Sequence, residues 1–243
     1  MKKNIAILLL IIATSCVNEI ENSNENVENS DNIFQYSTKN ILLAHDYNGD
    51  ITVAEIKEKG DFGLGTFNMF DGEMVLYDGN AFQAKTNGEI NNMPSEALSP
   101  YVVTKFFNPD TSFSLPNDIS LDSAKTLLNP LVENLLIPIA IKMTATFKTL
   151  KSRSVDKVSD ESITLTEIIA NQTEFDFTNV SGTVIGFWYP DYFDGVNFTG
   201  FHMHVLLDDL SGGGHLLDCT FESVNVEIDY ASGLDVALWN ISR

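Results

Sequence analysis

Cysteine is scarce, with two in 243 residues, and that excludes a scaffold stapled by disulfides. Basic residues are few as well: 14 Lys and Arg stand against 34 Asp and Glu, a formal charge of −20. Polyanions need a basic footprint, so a nucleic-acid partner is excluded, as is unaided adhesion to an anionic membrane. Only two arginines occur, Arg153 and Arg243. The longest apolar run, Ile5 to Ala13, falls well short of the ~20 residues that span a bilayer as a helix. Hydrophobic residues nevertheless reach 44 %, enough for a real core in one large domain or two small ones.

The N-terminus suggests an address. Lys2 and Lys3 precede the apolar run, which ends in Ala13-Thr14-Ser15-Cys16. A basic start, a short apolar stretch and small residues before a break describe a secretory signal peptide over residues 1–15. The ending resembles the lipobox of bacterial lipoproteins, with Cys16 as the lipidated residue. Residues 16–32, rich in Asn, Glu and Ser, read as a disordered tether. The expectation is an exported protein, periplasmic or anchored to the membrane through lipid on Cys16. Cys219, in an apolar stretch, reads as a small buried hydrophobe.

Thr52 and Glu55 form a capping-box pattern with Gly60 as a stop, predicting a helix near Val53 to Lys59. Asp71-Gly72, Asp78-Gly79 and Asn87-Gly88 punctuate Glu73 to Tyr77 and Ala81 to Lys85, the pattern of a β-meander. Ser120 to Leu136 suits a helix interrupted near Pro130, and another short helix is expected around Thr166 to Gln172. Met143 to Val155, Ser181 to Trp188, Phe198 to Leu207, Gly214 to Phe221 and Val224 to Ile228 read as strands. The fold class is α+β and two-lobed, with a β-rich lobe over 33–118 and a second lobe over 119–243.

Three of the four histidines, His202, His204 and His215, lie within 14 residues. The first two are two apart on an expected strand, so their side chains share a face. If the loop Asp208 to Gly213 holds an even number of residues, His215 returns on that face near Leu206 or His204. Three imidazoles with an open fourth position is the pattern of catalytic zinc; the other reading is three structural or surface histidines. Arg153 lies with Lys142, Lys148, Lys151 and Lys157, five of the 14 basic residues within 16 positions. This is a candidate anion site, since Arg grips a carboxylate with two parallel hydrogen bonds; the alternative is a solvated strand face.

Four segments in order resemble one family. Gly60-Asp61-Phe62-Gly63-Leu64-Gly65-Thr66-Phe67-Asn68 with Asp71-Gly72-Glu73 is similar to a signature of α-acetolactate decarboxylase. So are Ser152-Arg153-Ser154-Val155, Gly182 to Phe187 with Pro190, and Gly200-Phe201-His202-Met203-His204 with Gly213-Gly214-His215-Leu216-Leu217-Asp218. The resemblance implies zinc-dependent decarboxylation of 2-acetolactate to acetoin and carbon dioxide by a homodimer. It implies a mixed sheet in the N-terminal lobe and an antiparallel, barrel-like C-terminal lobe carrying the metal. By position, His202, His204 and His215 would be the Zn2+ ligands. Glu73 would be the catalytic acid at the metal, Arg153 the partner of the substrate carboxylate, and Thr66 a further substrate contact. A two-residue turn at Asp71-Gly72 would set Thr66 opposite Tyr77, roughly 13 Å from Glu73 along the strand. The family's tail carries another glutamate; Ala231 to Arg243 contains none, and Asp235 is its only side-chain carboxylate. That departure implies weakened activity, or a binding module of the same fold that captures a small hydroxy-keto acid without turnover.

Overall fold

The computed structural model describes residues 31–132 and 136–238. The chain enters through β1 (Ile33–Tyr36), α1 (Lys39–Leu43) and β2 (Ile51–Thr52). Helix α2 (Val53–Lys57) starts on the expected capping box: the Thr52 hydroxyl accepts from the Glu55 backbone, and the Glu55 carboxylate accepts from the Thr52 N–H at 2.8 Å. There follow β3 (Phe62–Thr66), β4 (Glu73–Tyr77), β5 (Asn80–Ala84), β6 (Ile90–Asn92), β7 (Leu98–Ser99) and β8 (Tyr101–Lys105). The turn Asp78-Gly79 has positive φ at both residues, 49° and 67°, and makes the tight β4–β5 hairpin. Asp71-Gly72 does not make its own. Residues 67–72 form a six-residue connection holding a 3-10 turn at Asn68–Phe70.

The second half begins with β9 (Thr111–Ser114), β10 (Ile119–Ser120) and α3 (Leu121–Val132). It continues through β11 (Ile139–Ser154), α4 (Leu165–Ala170) and β12 (Thr173–Tyr189). It ends with β13 (Gly200–Leu207), β14 (Gly213–Tyr230) and β15 (Leu234–Ala237). Pro130 lies inside the final turn of α3. The two strands expected between Gly214 and Ile228 are one 18-residue strand, β14.

The strands form two main sheets. The first runs β15-β1-β8-β3-β4-β5-β6 and is mixed, because β15 pairs β1 in parallel and the others are antiparallel. The second is antiparallel, ordered β10-β14-β11-β12-β13, with β9 added to β14. Its strands do not close a barrel along their length. β13 and β14 meet at three residue pairs only, His204–His215, Val205–Gly214 and Leu206–Gly213, and this gathers one end of the sheet. The barrel-like lobe expected from the resemblance is thus corrected to a sheet drawn in at one end.

One apolar cluster joins the sheets: Ile33, Phe62, Leu64, Val75 and Val103 from the first meet Ala140, Ile185 and Phe187 from the second. On the outer face of the first sheet, α2 buries Val53 and Ile56 against Met74, Leu76 and Val102, worth about 1.5–3 kcal/mol per side chain. The second sheet is covered by α3, whose Leu121, Ala124, Leu128 and Val132 fall at helical spacing and are buried.

The location expected from the N-terminal segment is withdrawn, since nothing in the described residues carries it. None of their helices is long and apolar enough to cross a membrane. The cysteine among them, Cys219, is a free thiol 3 % exposed in the core, closed to a lipid, and its burial pushes its pKa up to about 12. Membrane anchoring through Cys16 and export to the periplasm are not retained, and neither is the homodimer that the resemblance implied. Cys16 itself and the signal-like residues lie outside the described residues.

Candidate metal centre and cleft

His204 and His215 are direct cross-strand partners, and His202 lies two residues before His204 on the same face of β13. The six-residue connection 207–212 has the even count that this parity requires. Ring centroids are 5.2 Å apart for His202 and His204, 5.1 Å for His202 and His215, and 5.3 Å for His204 and His215. One nitrogen from each ring falls in a group spanning no more than 4.8 Å. His204 Nδ1 is bonded to the Met74 carbonyl at 2.7 Å, which fixes the ring and leaves Nε2 for the shared space. His204 Nε2 and His202 Nδ1 are buried without a hydrogen-bond partner. A buried orphan nitrogen is costly unless something occupies it.

Desolvation lowers the pKa of all three imidazoles, which favours their neutral form. Desolvation, then the Arg153 charge, lowers His202 to about 4. Desolvation and the neighbouring His202 set His204 and His215 well below the ordinary range. Neutral imidazoles with unshared lone pairs are what a divalent cation needs.

Arg153 comes from β11, and a register shift between Lys151 and Ser152 puts it opposite His215. Gly214 permits this approach. It adopts φ of +111°, and a Cβ there would stand 2.4 Å from the Arg153 carbonyl oxygen. The serines flanking Arg153 point away from the cleft and tie the strand down: Ser152 donates to the Gly213 carbonyl at 2.9 Å and Ser154 to that of Ala84 at 2.6 Å. Arg153 Nη1 donates to Glu73 Oε1 at 2.8 Å, and Glu73 Oε2 lies 3.5 Å from His204 Nε2. Glu73 is 6 % exposed; burial raises its pKa, and the Arg153 charge opposes that rise.

Thr66 sits beside Glu73 rather than far along the strand. The longer 67–72 connection makes the two direct cross-strand partners, whose Cβ atoms lie about 5 Å apart in such a pair. The Thr66 hydroxyl donates to the Gly72 carbonyl at 2.8 Å. Tyr101, unforeseen from sequence, is the partner of Thr66 on its other side, so Tyr101, Thr66 and Glu73 form a row across three strands. Gly65 next to them lets β8 come close: a Cβ would meet the Tyr101 carbonyl oxygen at 2.3 Å.

These groups line one cleft of about 300 Å³, closed on its apolar side by Phe70, Val155, Leu165, Ile168, Phe198 and Phe201. The basic cluster divides. Lys142 pairs with Glu227, Lys148 with Asp118 and Lys151 with Glu174, and of the five only Arg153 lines the cleft. Asp235 does not reach it. It is exposed on β15 and accepts from Asn32 Nδ2 at 3.1 Å.

The family model described as "Alpha-acetolactate decarboxylase" matches residues 33–241. A curated relative of that name from Brevibacillus brevis is 38 % identical over 206 residues, covering 85 % of this chain and 72 % of its own. One from Methanosarcina mazei is 36 % identical over 222 residues, covering 90 % and 76 %. The crystal structure of alpha-acetolactate decarboxylase from Bacillus subtilis strain 168 superposes with a TM-score of 0.83 at 30 % identity, over 87 % of this chain and 90 % of that one. The chain belongs to the alpha-acetolactate decarboxylase family.

Proposed function

We propose that the protein decarboxylates 2-acetolactate to acetoin and carbon dioxide, using a zinc ion held by His202, His204 and His215. The observation that carries this reading is the gathering of three histidine nitrogens within 4.8 Å, two of them buried and unpartnered, beside an Arg–Glu pair. Three imidazoles with room for further ligands suit zinc in its catalytic form. The bound ion would supply Lewis acidity at the ketone and hydroxyl oxygens, where negative charge develops.

The remaining work falls to side chains. Arg153 receives the substrate carboxylate and orients its carbon–carbon bond for cleavage. As carbon dioxide leaves, the bonding electron pair moves toward the ketone, and the resulting enediolate must take a proton on carbon. Glu73, buried and with its pKa raised, is placed to carry that proton. Thr66 contributes a hydroxyl at the next position of the same row. The apolar wall keeps water away while the carbanion-like species exists.

The test is direct. Purified protein supplied with zinc and racemic 2-acetolactate should release acetoin. His204→Ala should hold well under half the parent's zinc by elemental analysis and lose turnover with it. Parent protein that makes no acetoin, or a variant with unchanged zinc, would refute the reading.

A further inference from the structure

Behind the cleft wall lies a buried polar chain that the decarboxylation scheme does not use. Asn197, 1 % exposed, sits in the loop leading into β13. Its Oδ1 accepts from the Tyr101 hydroxyl at 2.7 Å and from the Phe198 backbone N–H at 2.6 Å. Its Nδ2 donates to Gln35 Oε1 at 2.8 Å, and Gln35 Nε2 donates to the carbonyls of Ser37 at 2.9 Å and Val196 at 2.8 Å. Two strands of the first sheet, β1 and β8, thereby hold the loop that precedes the histidines of the second.

The consequence reaches the cleft through Phe198. Its ring stands edge-on to Tyr101, with centroids 6.0 Å apart, and edge-on to His202, at 5.4 Å. Phe198 thus forms the part of the apolar wall that abuts the first histidine. A hydroxy-keto acid bound with its carboxylate at Arg153 and its oxygens at the histidines leaves two alkyl groups, the methyl on the ketone and the substituent on the hydroxyl-bearing carbon, and the second is the one whose size is at stake. The apolar wall is the surface available to it.

We propose that Asn197 is a positioning residue: through Tyr101 and Phe198 it fixes the wall that limits the size of that alkyl substituent. This deepens the decarboxylase reading of the same cleft and rests on it. A buried amide satisfied on three sides has one rotamer and resists displacement, so the ring it holds acts as a fixed stop.

Calorimetric titration of zinc-loaded parent and variants with two unreactive acids tests the proposal. They are 2-hydroxy-2-methylpropanoate and 2-hydroxy-2-methylhexanoate, and the readout is the ratio of their affinities; turnover of 2-acetolactate is followed in parallel. Phe198→Ala should shift the ratio toward the longer acid by about tenfold, and Asn197→Ala in the same direction by about threefold. An unmoved ratio in Phe198→Ala or in Asn197→Ala overturns the proposal, as does a parent that binds neither acid. Where Asn197→Ala does not fold, Tyr101→Phe decides, with a shift of about twofold expected and no shift overturning it. Variants that show the ratio shifts while the parent forms no acetoin would instead sink the decarboxylase reading and leave the positioning role standing.

Discussion

At the scale of the residue, Arg153 shows how much geometry one side chain carries. Its Nη1 is committed to Glu73 at 2.8 Å, while a substrate carboxylate needs a second planar contact from the same guanidinium. Lysine keeps the charge and loses the fork. Arg153→Lys should therefore lower kcat/KM by about 100-fold, a loss of a few kcal/mol of transition-state stabilisation. Steady-state kinetics at near-parental rates would leave Arg153 as a charge partner of Glu73 alone. The histidines were legible in the sequence because strand parity and an even loop are short-range facts. The position of Thr66 is not legible, because Asp71-Gly72 has the composition of a hairpin turn. The chain instead carries positive φ already at Met69 and Phe70, so the connection is longer and the register shifts. Asn197 and Tyr101 offered no signal: each is an ordinary loop or strand residue until its partner, 96 positions away, is known.

At the scale of the element, the site depends on one irregularity between β11 and β14. The register shift at Lys151/Ser152 aligns Arg153 with His215, and Gly214 fills the tight place with no side chain to spare. Gly214→Ala meets both a left-handed φ and a Cβ contact of 2.4 Å with backbone. It should cost about 2 kcal/mol of stability and separate Arg153 from the histidines; urea unfolding and zinc content measure the two effects. No sequence pattern announces this bulge, whereas the Thr52/Glu55 capping box is written locally. The carboxyl of Glu55 is held below its ordinary range by hydrogen bonds from the Thr52 side chain and backbone. A depressed pKa adds stability above the unfolded value, which is lost as pH falls through the folded one. Thr52→Ala should therefore cost about 1 kcal/mol at neutral pH, and the gap from the parent should narrow below pH ~4. A gap that widens in acid would contradict that linkage.

At the scale of the whole molecule, α+β character and two β-rich halves follow from alternation and turn chemistry. The contacts that hold the halves together do not. β15 lies parallel to β1 with a register of Ile33 to Leu234, a pairing across some two hundred positions that leaves no periodic trace. Lys105 is more telling: its side chain is wholly buried, 2.6 Å from Asp31 and 2.7 Å from Asp229. It stands at the end of β8 in the first sheet, and Asp229 stands near the end of β14 in the second. Asp31 is half exposed, but the Asp229 side chain is 1 % exposed and is held by the lysine and by the Asn108 N–H, which donates to its Oδ2 at 2.7 Å. Burial alone raises the pKa of Asp229, and the bond from Lys105 pulls it back. Removing one member of a buried pair strands the other, at about 3–5 kcal/mol, while replacing both by apolar groups of similar size is often nearly neutral. Lys105→Met should therefore lower unfolding stability by about 3 kcal/mol or more, and Lys105→Met with Asp229→Asn, which removes the stranded charge and keeps an acceptor for the Asn108 N–H, should recover most of that loss. The cleft lies where the sheets meet, so the single variant should also raise KM for the substrate and the double variant should restore it. If the double variant is no more stable than the single in urea, the lysine contributes packing alone, and the charge pair between the sheets is incidental to how the cleft is held.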